Sequence, residues 1–168
     1  MSTVSEVSAA DWELWRSYRS MNQQLSRALD RQLQRDAGIS QADYGILLAL
    51  FEAPDRRLRT GELGELLAWE KSRVSHQVAR MEARGLLKRV ECEDDARGTW
   101  VTLEAEGRRL LLSAMSEHAA AIRDLFFNEL EPEEKDVMRQ AAVRVLGKLN
   151  PVACEIDAGL DAQRTVGA

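Results

Sequence analysis

Between Lys71 and Arg80 the chain reads KSRVSHQVAR, and residue character changes at helical spacing. Set Val74 at the zero of a wheel turning about 100° per residue, and Val78 and Met81 fall within about 40° of it. Ser72, His76, Ala79 and Ala83 fall on the opposite side, flanked by Arg73 and Arg80. One edge of such a helix anchors it. The other is small, polar and cationic, with no bulky apolar side chain to keep it out of a groove. That chemistry is noncovalent recognition of an anion that carries hydrogen-bonding edges. Arg73 and His76 can donate to base edges, while Lys71 and Arg80 suit phosphates. Ser72 and Ser75 complete the contact set. Ser72 and Ala79 are small enough to let the backbone come close.

Catalytic chemistry has no comparable constellation. G-x-S-x-G, G-x-x-x-x-G-K, G-x-G-x-x-G and H-E-x-x-H are all missing from the sequence. The acids Glu91, Glu93, Asp94 and Asp95 cluster, but nothing around them completes a carboxylate-pair site. His76 has no metal-ligating partner three or four residues on, and the two cysteines, Cys92 and Cys154, are far apart with no zinc spacing. The reading is therefore a protein that is not an enzyme, with no cofactor and no metal. Cys92, at the edge of a predicted hairpin, is the candidate redox position, because oxidation there would disturb that hairpin.

The elements that would hold this helix are marked by caps and breakers. Ser8–Asp11 has capping-box spacing, and Trp12, Trp15, Tyr18, Asn22, Leu25, Leu29 and Leu33 then recur at steps of three and four up to Gly38. Ser40–Asp43 repeats the capping spacing ahead of a second helix (Tyr44, Leu47, Leu48, Leu50, Phe51), which Pro54 ends. Asp55–Arg59 reads as a loop or short strand. Thr60 is expected to cap a short third helix running from Gly61 to about Ala68. The fourth, from about Glu70 to Arg84, stops at Gly85. Leu86–Val90 and Thr99–Leu103 read as the two strands of a hairpin. Gly107 leads into a fifth helix, in which His118 is expected to be an interface or core residue. Pro132 opens a sixth, with Val137, Ala141, Val145, Leu146 and Leu149 facing inward. The segment 151–168 is weakly periodic and reads as a loose tail.

Charge agrees with this division. The whole chain of 168 residues carries a formal −5. From Arg56 to Val90, however, nine cations face four acids, a net +5, which leaves −10 for the remainder. The start of the chain lacks the basic and apolar regions of a signal peptide, and no apolar run reaches the length of a membrane span. The expectation is a cytoplasmic setting and no membrane partner.

A short helix, a tight turn, a helix with a polar outer face and a hairpin make a winged helix-turn-helix, whose second helix fits the major groove. Arg97 at the hairpin's tip would enter the neighbouring minor groove. The fold class is thus mainly α (α+β): a winged helix-turn-helix lobe with a two-stranded wing, plus N- and C-terminal helices.

At this level the sequence resembles the MarR-type winged-helix transcription regulators, over roughly Leu14 to Leu149. The stretch from Ser72 to Arg89, SRVSHQVARMEARGLLKR, carries the serine-bearing recognition helix. Met81 stands in the family's leucine position, and Gly85, Leu86 and Arg89 match the family's next residues. Asp95 and Arg97 give the wing pair, and Val101, Leu103 and Gly107 match the run after it. Glu104 departs from a threonine that would cap the fifth helix, which puts that helix's start in question.

The resemblance implies a homodimer in which residues 8–38 and 105–150 form a helical dimerisation lobe and residues 39–104 the DNA-binding lobe. It implies double-stranded DNA as partner, with two recognition helices roughly 34–36 Å apart on a near-palindromic operator. It implies a repressor released by a small-molecule or stress signal. An effector, such as a small aromatic molecule, would sit in a crevice near Trp12, Trp15, Tyr18, Asn22 and Tyr44. The alternative is a winged-helix protein–protein adaptor without DNA binding, which would need an apolar outward patch on the fourth helix.

Overall fold

The computed structural model describes residues 7–91 and 99–149. Arg97 and Cys92, like the acids Glu93, Asp94 and Asp95 and the segment 151–168, lie outside the described residues. Among the described residues no helix is long and apolar enough to cross a membrane.

Helix α1 spans Ala9–Ala37, with the Ser8 side chain accepting from the Asp11 amide. It closes on Gly38, whose φ of 66° is the left-handed conformation that glycine takes without steric cost. Helix α2, Gln41–Glu52, begins with a complete capping box. Asp43 N–H donates to Ser40 Oγ at 3.1 Å, and Ser40 N–H donates to Asp43 Oδ2 at 3.0 Å. Strand β1 is Arg57–Arg59, succeeded by α3, Thr60–Leu67, and α4, Lys71–Ala83. Strands β2, Leu87–Glu91, and β3, Thr99–Leu103, precede α5, Ala105–Leu125, and α6, Pro132–Leu149.

One local expectation is corrected, and one left open between loop and strand is decided. Thr60 is the first residue of α3, not its cap. The Glu62 carboxylate instead accepts the Arg59 N–H at 2.6 Å, because a glutamate at the third helical position reaches back to that orphan donor. The wing hairpin is also part of a larger sheet. Arg-Leu-Arg of β1 pairs antiparallel with β3, Leu58 opposite Val101, giving the order β1-β3-β2. The backbone groups on that edge of β3 are satisfied by a strand of three residues, too few to show a strand pattern on their own.

The core is built by α2, α3, α4, the sheet and the near ends of α1 and α5. Leu33, Ile46, Leu47, Leu50, Leu63, Val74, Met81, Val101 and Leu111 are all fully buried in it. Gly107 explains how α5 can start against the hairpin. A Cβ at this position would sit 2.0 Å from the Leu86 carbonyl oxygen, so only glycine admits the approach. Glu104 does not delay the helix. Its carbonyl accepts the Arg108 N–H at 3.0 Å, and its carboxylate meets Lys88 Nζ at 2.7 Å.

His118 is a core residue, 5% exposed, with Nδ1 2.8 Å from Gln32 Oε1 and its ring 4.6 Å from that of Tyr44. Burial holds its pKa below the ordinary imidazole value.

The chain divides into two compact units, one ending at Leu125 and one beginning at Phe126. In α6 no residue is buried. The expectation that Val137, Ala141, Val145, Leu146 and Leu149 face inward is therefore corrected for a single chain. Val137 is 65% exposed and Leu149 75%, because a stripe is buried only where something covers it. The stripe of α1 divides likewise: Leu29 and Leu33 are buried, while Trp12, Trp15 and Tyr18 are about half exposed.

Candidate nucleic-acid interface

Helices α3 and α4 meet through a turn of three residues. Ala68 takes a left-handed conformation (φ 51°), its N–H returns to the end of α3, and the Trp69 N–H donates to the Gly64 carbonyl at 2.8 Å. Gly64 keeps the turn tight, since a Cβ there would lie 3.1 Å from the Trp69 oxygen. Val74, Val78 and Met81 are then driven into the core. With that edge fixed, the opposite one must face solvent.

Lys71, Ser72, Arg73, Ser75, His76, Ala79 and Arg80 are all exposed. The six proposed contact residues of α4 are thus all accessible, Lys71 at the helix start and the other five around its outer side. Arg73 is not a loose cation. Its guanidinium lies 4.2 Å over the Trp69 ring, which restricts the side chain without consuming its hydrogen-bond donors. Arg80 Nη2 donates to Gln77 Oε1. No apolar residue larger than alanine stands on this face.

Sequence reasoning missed Gln77. At about −60° from Val74 on the wheel it belongs to the inward arc, and it is 5% exposed. Its Nε2 donates to Asp43 Oδ1 at 2.5 Å. The Asp43 carboxylate, 4% exposed, also accepts from Arg84 Nη1 at 3.0 Å, and Arg84 Nη2 reaches the Gly38 carbonyl at 3.0 Å. Position on the wheel was the available signal for Gln77. The Asp43 network joins residues 34 and 41 positions apart and left no local signal.

A second missed feature is a groove of roughly 630 Å³ between the start of α3, α4 and the hairpin. Arg59, Lys71 and Arg89 line it together with Ser75, Thr60, Gly61 and Thr99, and so do the acids Glu62 and Glu65. Arg89 is fixed there by Glu82, whose carboxylate takes the Arg89 amide at 2.9 Å and Nε at 2.8 Å. These bonds to Arg89 hold the Glu82 carboxyl below its ordinary pKa. Arg57 and Arg59 lie 4.8 and 5.0 Å from the Trp100 ring centroid, so the sheet also carries cations held by an aromatic.

The residues expected near an effector are not gathered in one described cavity. Trp12, Trp15, Tyr18 and Asn22 are exposed along α1, with Trp15 and Tyr18 stacked at 6.0 Å. Tyr44 is half-buried against His118. Among the described residues there is no group of three or more potential metal ligands.

Comparison with known proteins agrees with the fold. Residues 37–98 match the model of the MarR family. Sco3205 of Streptomyces coelicolor, a MarR family transcriptional regulator solved in complex with DNA, is 38% identical. The match covers 87% of this chain and 91% of that one, with a TM-score of 0.83. AbsC of the same organism, also a MarR family transcriptional regulator, is 30% identical over 91% of this chain and 98% of its own, with a TM-score of 0.75. The transcriptional repressor YetL of Bacillus subtilis is 25% identical over 88% of this chain and 84% of its own length.

Proposed function

Since the chain belongs to the MarR family of transcriptional regulators, we propose that it binds double-stranded DNA sequence-specifically, as a cytoplasmic homodimer on a near-palindromic operator. The observation that carries this reading is the outward edge of α4. Five polar or cationic contact residues stand on it, with Lys71 exposed at the helix start, while the opposite edge is sealed in the core. Such an edge fits a major groove lined with acceptors and flanked by phosphates. An adaptor surface would need an apolar patch here, and alanine is the largest apolar side chain available.

Within this reading Arg73 and His76 address base edges, and Lys71 and Arg80 address phosphates. The groove holding Arg59, Lys71 and Arg89 receives the backbone strand that runs between helix and wing. Arg97 keeps its minor-groove role on hairpin position and family motif alone. Residues 39–104 form the DNA-binding lobe. In this reading a second copy covers the exposed apolar residues of α1 and of α6, and 8–38 and 105–150 form the dimerisation lobe; the exposure of those residues in one chain supports it. The regulator represses, and a small-molecule or stress signal releases it. Trp12, Trp15, Tyr18, Asn22 and Tyr44 are the residues offered to an aromatic effector where the dimer interface leaves a crevice.

Fluorescence anisotropy against the DNA flanking the protein's own gene, with and without candidate ligands, tests this. Specific binding with a steep salt dependence is expected. Arg73→Ala should cost about 1–3 kcal/mol at one base position. A uniform loss across sequences would move Arg73 to the phosphates. Failure of the wild type to bind any duplex would return the adaptor reading.

A further inference from the structure

We propose that Asp43, buried at the start of α2, is a positioning residue that holds Arg80 of α4 in its DNA-contacting pose, acting through Gln77. The inference rests on the DNA-binding reading of α4.

Hydrogen-bond polarity links the three residues. An ionised carboxylate can only accept, so the Gln77 amide must present its nitrogen to Asp43, and it does so at 2.5 Å. The amide oxygen is thereby turned the other way. What it meets can only be a donor, and the residue there is Arg80. The charge on Asp43 thus dictates which end of Gln77 faces outward, and the outward oxygen gives the Arg80 guanidinium a fixed acceptor. Asp43 is itself held. It accepts from the Ser40 amide and from Arg84, each at 3.0 Å, and it is 4% exposed. Buried polar groups with every partner supplied form rigid networks, so an arginine on the exposed face inherits order from a residue in another helix.

The two arms leaving Asp43 have different work. Through Arg84 and the Gly38 carbonyl the network ties the end of α4 to the end of α1. Through Gln77 it reaches, among the described residues, Arg80 alone. Asp43→Asn keeps the shape of the side chain but can present its own amide, which frees Gln77 to turn over and aim its nitrogen at a cation. Gln77→Met conserves volume, leaves Asp43 with Ser40 and Arg84, and removes only the arm to Arg80.

The test is a double-mutant cycle read by operator anisotropy at several salt concentrations, using the full chain. Arg80→Ala is expected to weaken binding about three- to tenfold and to lower the salt slope by about one. D43N and Q77M should each reach within about twofold of that affinity, show the same lowered slope, and weaken the R80A protein no further. Should D43N fail to fold by circular dichroism, Q77M carries the test. The proposal is overturned if R80A binds like the wild type, if D43N and Q77M retain the wild-type slope, or if their losses add in full to that of R80A. The last result would make the network a brace for the whole helix. A wild type that binds no duplex removes the DNA-binding reading, and this inference with it.

Discussion

Val74, Val78 and Met81 of α4 are each at most 1% exposed, whereas Val137, Val145, Leu146 and Leu149 of α6 are 50% to 75% exposed. Both helices carry apolar residues at spacings of three and four, so the pattern alone does not separate them. The difference lies in what the chain can supply as cover. For α4 it supplies α2, α3 and the sheet, and the opposite edge is thereby committed to solvent. In α6, among the described residues, none is buried. Half of α1 behaves like α4 and half like α6, since Leu33 is fully buried and Trp15 is 52% exposed. Hydrophobic spacing measures a demand for burial, and only tertiary context shows whether one copy of the chain meets it.

Substitutions in the two regions should therefore fail in different ways. The largest loss is expected at Gly107→Val. The first added carbon already meets the Leu86 carbonyl, and a cost of about 3 kcal/mol or more should appear in urea unfolding. Met81→Ala comes next at about 2–5 kcal/mol, by emptying a fully buried site. A wild-type-like unfolding curve for either would mean that the core of the DNA-binding lobe is not packed as described. In α6, Leu146→Ser should act through association. The wild-type thermal midpoint should rise with protein concentration and the variant's should not, while sedimentation shows the variant lighter. Equal concentration dependence in both would remove α6 from the interface.

A gentler test uses pH. Burial lowers the pKa of His118 in the folded chain, so between that value and the unfolded value of about 6.5 the unfolded state holds more protons. Stability should be complete above about pH 6.5 and decline as pH falls from there toward the folded pKa. His118→Asn should flatten that part of the profile in urea titrations, and a slope unchanged by the substitution would assign it to another group. The smallest effect is expected from Glu106→Gln. Its pair with Arg109 is exposed on both sides, so the urea midpoint should not move measurably, and a clear drop would show the pair to be less solvated than described.

Much of this architecture was legible in the sequence because its signals are local. Ser8, Ser40, Gly38 and Gly85 mark helix ends by side-chain or backbone chemistry that needs no distant partner. The orientation of α4 is set by three apolar residues, and Thr99–Leu103 shows simple alternation. What escaped was nonlocal. The choice between loop and short strand at Arg57–Arg59 is decided by β3 lying beside it, and Asp43 matters because Gln77 of α4 and Arg84 at its end reach it from 34 and 41 positions along the sequence. Gln77 was within reach. Its place on the wheel is inward, and its polar type masks that. The fifth helix starts on schedule despite Glu104, because the missing threonine's capping task is not what sets that start; the opening at Gly107 and the backbone bond from Arg108 are.

The stacking of Arg73 on Trp69 has an optical consequence. Indole emission responds to the charge above its ring, so an operator that draws the guanidinium away will alter the colour and yield of that fluorophore. With the other three tryptophans, Trp12, Trp15 and Trp100, replaced by phenylalanine, the chain becomes its own dye for occupancy, with no label to attach.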